Sequence, residues 1–198
     1  MNLQVQQFMF SLSLLLLLVS FIGVESSNDH FISNRIKRGS SLSPNGTRYW
    51  LSDSGNIAFG FYPLPCTSSS ITTCIDQYVV GIWFVNSPHK TLVWTANRDD
   101  PPLSNLYSLI ITEEGNFLLR ADNKDKPLID VHRHIQPVSY AKMHDNGYFV
   151  LYNAESQIIW ESFDYPTDTI LGGQVLKDDV DMVSGVSLFN PGSGEYKQ

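Results

Sequence analysis

The sequence predicts an all-β fold, and three observations support this prediction. Seven short runs are rich in the β-branched and aromatic residues that strands favour: 57–61, 78–84, 91–94, 108–111, 117–119, 149–152 and 157–160. Tight-turn sequences lie between these runs: Asp53-Ser54-Gly55, Glu113-Glu114-Gly115 and Asp145-Asn146-Gly147. Beyond the N-terminal leader, no window of ten or more residues keeps the apolar period of a helix.

The turns recur together with the strands that follow them. A turn followed by an apolar strand occupies residues 53–59, 113–119 and 145–151. A second unit, offset from the first, occupies residues 90–94, 126–130 and 156–160. Units that recur about every 30 residues predict three hairpins around a shared core, as in a prism or a trefoil-like barrel. Trp94 and Trp160 are equivalent in this repeat, and we expect them to pack together near its axis.

The first 26 residues are predicted to be a signal peptide. The apolar run 8–24 ends at Val24-Glu25-Ser26, whose small residues at −3 and −1 suit cleavage before Ser27. The alternative is a signal anchor that is retained, although a run shorter than about 18 residues is marginal for a bilayer span. Either reading directs the chain into the secretory pathway, so we expect a secreted or cell-surface protein.

Composition and charge restrict the class of partner. The chain has 198 residues, 42% hydrophobic and 17% charged, which suits one globular domain with a short flank at each end. The formal net charge of −7 opposes binding to a phosphate backbone, so nucleic acid is not an expected partner.

The cysteines and one sequon fit an oxidising, glycosylating compartment. Cys66 and Cys74 enclose a polar stretch and are predicted to form a local disulfide in an exposed hairpin loop. Two unpaired thiols are the alternative, and the spacing excludes a redox CxxC motif. Asn45-Gly46-Thr47 is a predicted N-glycosylation site in a turn-rich stretch.

No pattern in the sequence predicts catalysis or a metal. His132 and His134 share one strand face but have no third ligand nearby in sequence, and we interpret them as exposed. Glu161, Asp164 and Asp168 are acidic candidates for catalysis, but residues 164–169 are typical of a turn in which Asp and Thr side chains cap backbone N–H groups. The acidic run 178–181 lacks the glycine and distal glutamate of an EF-hand loop. We therefore expect no catalytic residue, no metal and no cofactor.

Three stretches resemble the bulb-type, mannose-binding lectin domain found at the head of plant G-type lectin S-receptor-like serine/threonine-protein kinases. They are residues 50–64, residues 82–84 with 91–99 (IWF and TLVWTANRD), and residues 159–171 (IWESFDYPTDTIL). The resemblance implies a β-prism of three four-stranded antiparallel units. It divides the chain into a signal peptide (1–26), an N-terminal flank (27–40), the lectin domain (41–176) and a C-terminal segment that leads toward further ectodomain (177–198).

In that family each sugar pocket is lined by Gln-x-Asp-x-Asn-x-Val-x-Tyr, whose alternate side chains point to one face of a strand. The matching positions of the middle repeat are Thr112, Glu114, Asn116, Leu118 and Arg120. Those of the last repeat are His144, Asn146, Tyr148, Val150 and Tyr152. The first repeat offers only Asn56, so no repeat carries the complete set.

The resemblance implies a carbohydrate-recognition module of a plant receptor-like protein, with mannose-type glycans or glycoproteins as ligands. Each lost neutral hydrogen bond costs about 0.5–1.5 kcal/mol, so we expect mannose binding to be weak or lost, with Tyr148 filling its groove. Two alternatives remain open. The chain could be a protein–protein interaction module in a receptor ectodomain, or the front part of a receptor-like kinase whose kinase domain lies outside this sequence. The sequence does not predict an oligomeric state.

Overall fold

The computed structural model describes residues 34–65, 76–88, 90–122, 124–128, 136–178, 180–187 and 190–197. These residues belong to one compact unit of the chain, Asn34–Gln198. The predicted signal peptide, the Cys66–Cys74 pair, and His132 and His134 lie outside the described residues.

Twelve of the described strands form three four-stranded antiparallel sheets, which confirms the predicted β-prism class. Sheet A has the order β1 (Ile36–Lys37), β10 (Tyr140–Met143), β11 (Phe149–Tyr152), β12 (Ile158–Glu161). Sheet B has the order β2 (Ser41–Leu42), β7 (Ser108–Ile111), β8 (Phe117–Ala121), β9 (Lys124–Pro127). Sheet C has the order β3 (Tyr49–Leu51), β4 (Ile57–Pro63), β5 (Tyr78–Phe84), β6 (Leu92–Thr95).

The N-terminal segment contributes the first strand of every sheet. Ile36 pairs with Ala141 in sheet A, Leu42 pairs with Leu109 in sheet B, and β3 pairs with β4 in sheet C. Residues 36–51 therefore link the three sheets through backbone hydrogen bonds. Ile36–Lys37 lies in the stretch that the sequence assigned to the flank, yet it is paired within a sheet.

Aromatic rings from all three sheets meet in the core, because alternate side chains of a strand point inward. Phe59 of sheet C stacks on Phe149 of sheet A, with ring centroids 3.7 Å apart and planes at 2°. Phe117 of sheet B lies 6.2 Å from Phe59 and 6.0 Å from Phe149. The three rings are buried, so the centre of the prism is an aromatic triad with one member from each sheet.

The two predicted tryptophans meet beside this triad. Trp94 and Trp160 are in edge-to-face contact, with ring centroids 5.9 Å apart, and both are buried. The Trp94 indole N–H donates a hydrogen bond to the Tyr165 carbonyl at 2.6 Å. The prediction that these indoles pack together in the core is confirmed.

Gly115 closes the β7–β8 turn in a conformation and a space that exclude a side chain. Its φ is +87°, and an added Cβ would lie 2.6 Å from the Val138 carbonyl oxygen. Gly55 closes the β3–β4 turn with φ +73°, but an added Cβ there would have no neighbour within 4 Å. A side chain at Gly55 would meet backbone strain alone, whereas a side chain at Gly115 would meet both backbone strain and steric overlap.

We expect Gly115→Ala to destabilise the fold more than Gly55→Ala. Alanine in a left-handed conformation costs about 1–2 kcal/mol at either position, and overlap adds about 1–3 kcal/mol at Gly115. Equilibrium urea unfolding measures both variants against the wild type. Equal losses of unfolding free energy in the two variants would show that the backbone near Val138 shifts to accommodate the added methyl group at position 115 without a loss of stability.

A further hairpin lies outside the three sheets. β13 (Val183–Ser187) and β14 (Asn190–Lys197) form a separate two-stranded antiparallel sheet. The sequence predicts only turn-rich chain over 190–198, because Pro191, Gly192 and Gly194 are unfavourable in strands. A single 3₁₀ turn, Ser162–Asp164, follows β12.

Candidate functional site

The sugar-pocket positions lie on the outward faces of the sheets. In sheet B, Phe117 and Leu119 point into the core, so Asn116, Leu118 and Arg120 face outward. In sheet A, Phe149 and Leu151 point into the core, so the other three positions face outward: Tyr148, Val150 and Tyr152. The alternation expected from the motif is therefore present on both sheets.

The strand order shows that Asn56, the position taken from the first repeat, is not equivalent to Asn116 and Tyr148. Asn56 follows a turn between the first and second strands of sheet C, whereas Asn116 and Tyr148 follow turns between the second and third strands of their sheets. The strand of sheet C in third position is β5. The β5–β6 pairing shifts register after Ile82↔Trp94, just as the β11–β12 pairing shifts after Leu151↔Trp160.

The positions equivalent to the last three of the motif are therefore Val79, Gly81 and Trp83 in sheet C. The spacing of the two repeated units already indicates that the first repeat differs from the other two. The second unit begins 13 and 11 residues after the first in the middle and last repeats, but 37 residues after it in the first repeat. An extra strand therefore separates the two units of sheet C.

The outward face of sheet A is filled by its own side chains. The Tyr148 hydroxyl donates a hydrogen bond to Glu161, and its ring lies 4.6 Å from that of Phe163. Tyr152 stacks on Tyr140 at 4.7 Å. Val150, the residue expected to contact a sugar ring, is 0% exposed. The apolar floor of this groove is therefore covered.

Burial of the groove changes the acidity of its residues. Desolvation, followed by the hydrogen bond and the negative charge of Glu161, raises the pKa of Tyr148 far above its ordinary value. Desolvation also raises the pKa of Tyr152. The His144 Nε2 lies 3.4 Å from the Tyr152 hydroxyl. These groups satisfy one another, so their hydrogen-bonding capacity for a ligand is reduced.

Glu161 is a groove residue that the sugar-pocket motif does not include, and the sequence singles it out only as an acidic side chain near Asp164 and Asp168. It lies at the end of β12, opposite Val150 in the β11–β12 pairing, and therefore belongs to the groove. Asp164 pairs instead with Lys177 at 2.6 Å, and Asp168 lies 3.9 Å from the Arg98 guanidinium. The three carboxylates thus have separate partners.

The outward face of sheet B is partly closed by an ion pair. Arg120 binds Asp125 with two hydrogen bonds, Nε to Oδ1 at 2.6 Å and Nη2 to Oδ2 at 2.8 Å. The Asn116 backbone N–H and side-chain amide donate to the Thr112 hydroxyl at 3.1 and 3.5 Å. The tyrosine position of the motif is therefore taken by a charged pair.

A cleft lies where sheet B meets sheet A. Its volume is about 390 Å³, and its lining includes Asn116, Leu118 and Asp125 of sheet B as well as Leu151, Ile159 and Trp160 of sheet A. Glu114 is exposed, and its pKa lies below the ordinary value because of its hydrogen bond with Thr112. The middle groove therefore keeps an amide and a carboxylate at its rim, without the tyrosine hydroxyl.

Aromatic side chains fill the outward face of sheet C. The Trp83 indole is 3% exposed and makes edge-to-face contacts with Tyr49 at 5.5 Å and with Tyr62 at 5.4 Å. Burial raises the pKa of Tyr62. Gly60 pairs with Gly81 between β4 and β5, two residues along from both Tyr62 and Trp83. This face presents aromatic surface where the motif would place polar groups.

His144 gives the groove of sheet A a pH-dependent stability. Burial first, and then Lys142, lower the pKa of His144, so the unfolded chain binds its proton more readily than the folded chain does. Stability is therefore full above the unfolded-state pKa of about 6.5 and falls as the pH drops below it. We expect His144→Gln to reduce the loss of melting temperature between pH 7.5 and pH 5.5. An unchanged loss in the variant would assign this dependence to other groups.

The described part of the chain lacks two further features. No group of three or more His, Cys, Asp or Glu side chains there is arranged to hold a metal ion. No helix within the same residues is long and apolar enough to cross a membrane.

Comparison with known proteins gives a consistent family match. A profile of the D-mannose binding lectin family matches residues 91–189. The chain is 37% identical over 147 residues to the G-type lectin S-receptor-like serine/threonine-protein kinase LECRK1 of Oryza sativa subsp. indica, a match that covers 71% of the chain and 17% of the relative. It is 30% identical over 195 residues to the receptor-like serine/threonine-protein kinase SD1-7 of Arabidopsis thaliana, which covers 94% of the chain and 21% of the relative.

A relative with a different name and one solved structure also match. The S-locus-specific glycoprotein S6 of Brassica oleracea is 30% identical over 179 residues, covering 84% of the chain and 39% of the relative. A monomeric mannose-binding lectin from Gastrodia elata aligns with a TM-score of 0.41 at 17% identity, over 66% of this chain and 96% of that one. The chain spans about a fifth of the length of the two kinase relatives.

Proposed function

The chain belongs to the bulb-type, D-mannose-binding lectin family, and from this membership we propose that it is an extracellular recognition module whose mannose sites are weak or lost. Membership of a family described as D-mannose binding supports a recognition role for the scaffold of three sheets. Its three candidate grooves, however, each carry a different set of side chains. The recognition surface has therefore diverged while the prism is kept.

The observation that carries the proposal is the filled groove of sheet A. Tyr148 stands at the asparagine position of the motif and donates its hydroxyl to Glu161. A hexose entering here would have to displace this hydrogen bond and uncover Val150. Loss of two or three neutral hydrogen bonds, at about 0.5–1.5 kcal/mol each, is enough to abolish an affinity in the millimolar range.

A second candidate function is protein–protein recognition in a receptor ectodomain. The aromatic face of sheet C favours it, because Tyr49 and Leu51 are 38% and 44% exposed beside the buried Trp83. Aromatic residues of this kind are enriched at protein interfaces. The kinase relatives are longer proteins. A kinase activity would belong to such a longer protein and not to the residues of this chain.

A glycan array tests the two functions. We expect the secreted chain, at micromolar concentration, to give no signal above background on mannosides. Clear binding to mannosides would overturn the proposal of weak or lost sites. If a protein partner is found, addition of free mannose should leave its binding unchanged, since the partner would not use a sugar groove.

The expected processing fits the same proposal. We propose cleavage of residues 1–26, a Cys66–Cys74 disulfide and a glycan on Asn45. In support of the glycan, Asn45 is exposed, and its side-chain amide donates a 3.3 Å hydrogen bond to the Asn105 carbonyl. The predicted leader and the relatives named as receptor-like kinases support the secreted or cell-surface location that we propose.

A further inference from the structure

The β13–β14 hairpin is held to the prism by the side chains of two consecutive residues. An isolated two-stranded hairpin is only marginally stable in water, so this one needs contacts outside itself. The Arg98 side chain is 12% exposed and reaches both of its strands. Its Nε donates to the Pro191 carbonyl at 2.8 Å, and its Nη1 donates to the Val183 carbonyl at 2.7 Å.

The second terminal nitrogen of Arg98 extends these contacts. Nη2 donates to the Ser184 carbonyl at 3.2 Å and to the Gly192 carbonyl at 3.4 Å. The acceptors are all main-chain carbonyls, two from each strand. A planar guanidinium offers several donors in a fixed fork, which suits this arrangement better than a single ammonium group would.

Asp99 makes the complementary contact. Its Oδ1 accepts the Ser193 N–H at 2.7 Å, and its Oδ2 accepts the Ser193 hydroxyl at 2.9 Å. These two hydrogen bonds hold the pKa of Asp99 below its ordinary value. Arg98 thus supplies donors and Asp99 supplies acceptors to the same hairpin.

Glycines in the hairpin let its backbone approach these side chains. A Cβ on Gly185 would lie 3.1 Å from the Asp168 Oδ2 and 3.7 Å from the Arg98 Nη2. A Cβ on Gly192 would lie 3.0 Å from the Asn190 Oδ1 and at an ordinary contact distance of 3.7 Å from the Asp99 Oδ1. Beside them, the Val183 N–H donates to the Thr167 carbonyl at 3.0 Å.

We propose that Arg98 and Asp99 form a clasp that docks the β13–β14 hairpin onto the prism. Arg98 and Asp99 are the last two residues of the TLVWTANRD stretch, and their side chains position this hairpin. The sugar grooves lie on the outward faces of the three sheets and use other residues. The clasp is therefore independent of whether the chain binds mannose.

Hydrogen exchange of the full chain, followed by mass spectrometry, tests the clasp. We expect Arg98→Ala to raise the exchange rate of amides in 183–197 by about tenfold or more, since several charge-assisted hydrogen bonds are lost. Exchange in the core strand 149–152 should stay at the wild-type rate. Arg98→Lys should give a smaller increase in the hairpin.

The matched control is Arg120→Ala. Arg120 is also paired with a carboxylate, but it lies on sheet B, so its loss should leave the hairpin unchanged. Wild-type exchange in the hairpin of Arg98→Ala would overturn the proposal, and so would an equal increase in the hairpin and the core. If Arg98→Ala is not recovered as folded protein, Asp99→Ala and Ser193→Ala carry the same test. Unchanged hairpin exchange in both would then overturn it.

Discussion

Replacing Phe149 with alanine is expected to lower the free energy of unfolding by about 3–5 kcal/mol. The ring is fully buried and stacks on Phe59, and it also contacts Phe117 and Trp160. Its removal leaves a cavity where side chains of all three sheets meet, and the surrounding strands cannot collapse into it without breaking their pairing. A loss of this size is a large part of the stability of an ordinary domain.

Urea unfolding followed by tryptophan fluorescence measures this loss, with Leu106→Ala as the control. Leu106 is also apolar but is 65% exposed, so its truncation should cost less than about 1 kcal/mol. A similar loss in the two variants would contradict the central position of the aromatic triad.

Rebuilding the motif on sheet A is expected to create a mannose site. The variant His144→Gln, Asn146→Asp, Tyr148→Asn completes the family pattern, because Val150 and Tyr152 are already in place. Removing the tyrosine ring frees Glu161 from its hydrogen bond, and we expect it to expose Val150, which is 0% exposed in the wild-type chain. Three restored contacts of about 0.5–1.5 kcal/mol each predict a gain in affinity of about 10- to 1,000-fold.

Calorimetric titration with methyl α-mannoside measures the gain. Adding Tyr152→Phe to the rebuilt chain provides the control, since it removes one hydroxyl and leaves the ring. This fourth change should lower the affinity by about 2- to 10-fold. A folded triple variant that gains no affinity would show that Tyr148 is not what closes the groove.

Three strands of the core could be predicted from sequence because their buried positions are occupied by β-branched, aliphatic and aromatic residues. β5, β7 and β11 have the predicted bounds, Tyr78–Phe84, Ser108–Ile111 and Phe149–Tyr152. β1 and β2 have two residues each, which is too short for a period, and they form because distant strands offer free edges. β9 is exposed along its length and reads as polar chain, yet it pairs with β8.

The grooves were predictable in part for the same reason. Alternation along one strand placed Asn116, Leu118 and Arg120 on one face without knowledge of the fold. Partners on a neighbouring strand were not predictable in this way, as with Glu161 opposite Val150. Asn56 is not equivalent to Asn116 and Tyr148 in strand order, because sheet C has an additional strand between the two repeated units.

The most direct test of closed mannose sites is a titration of the wild-type chain with methyl α-mannoside, followed by amide resonances in two-dimensional NMR. We predict a Kd no tighter than about 1 mM, with no saturable shift at Tyr148, Asn116 or Val79 at lower sugar concentrations. A Kd in the micromolar range, with shifts confined to the third strand of any sheet, would contradict the claim that the prism is kept while its mannose sites are closed.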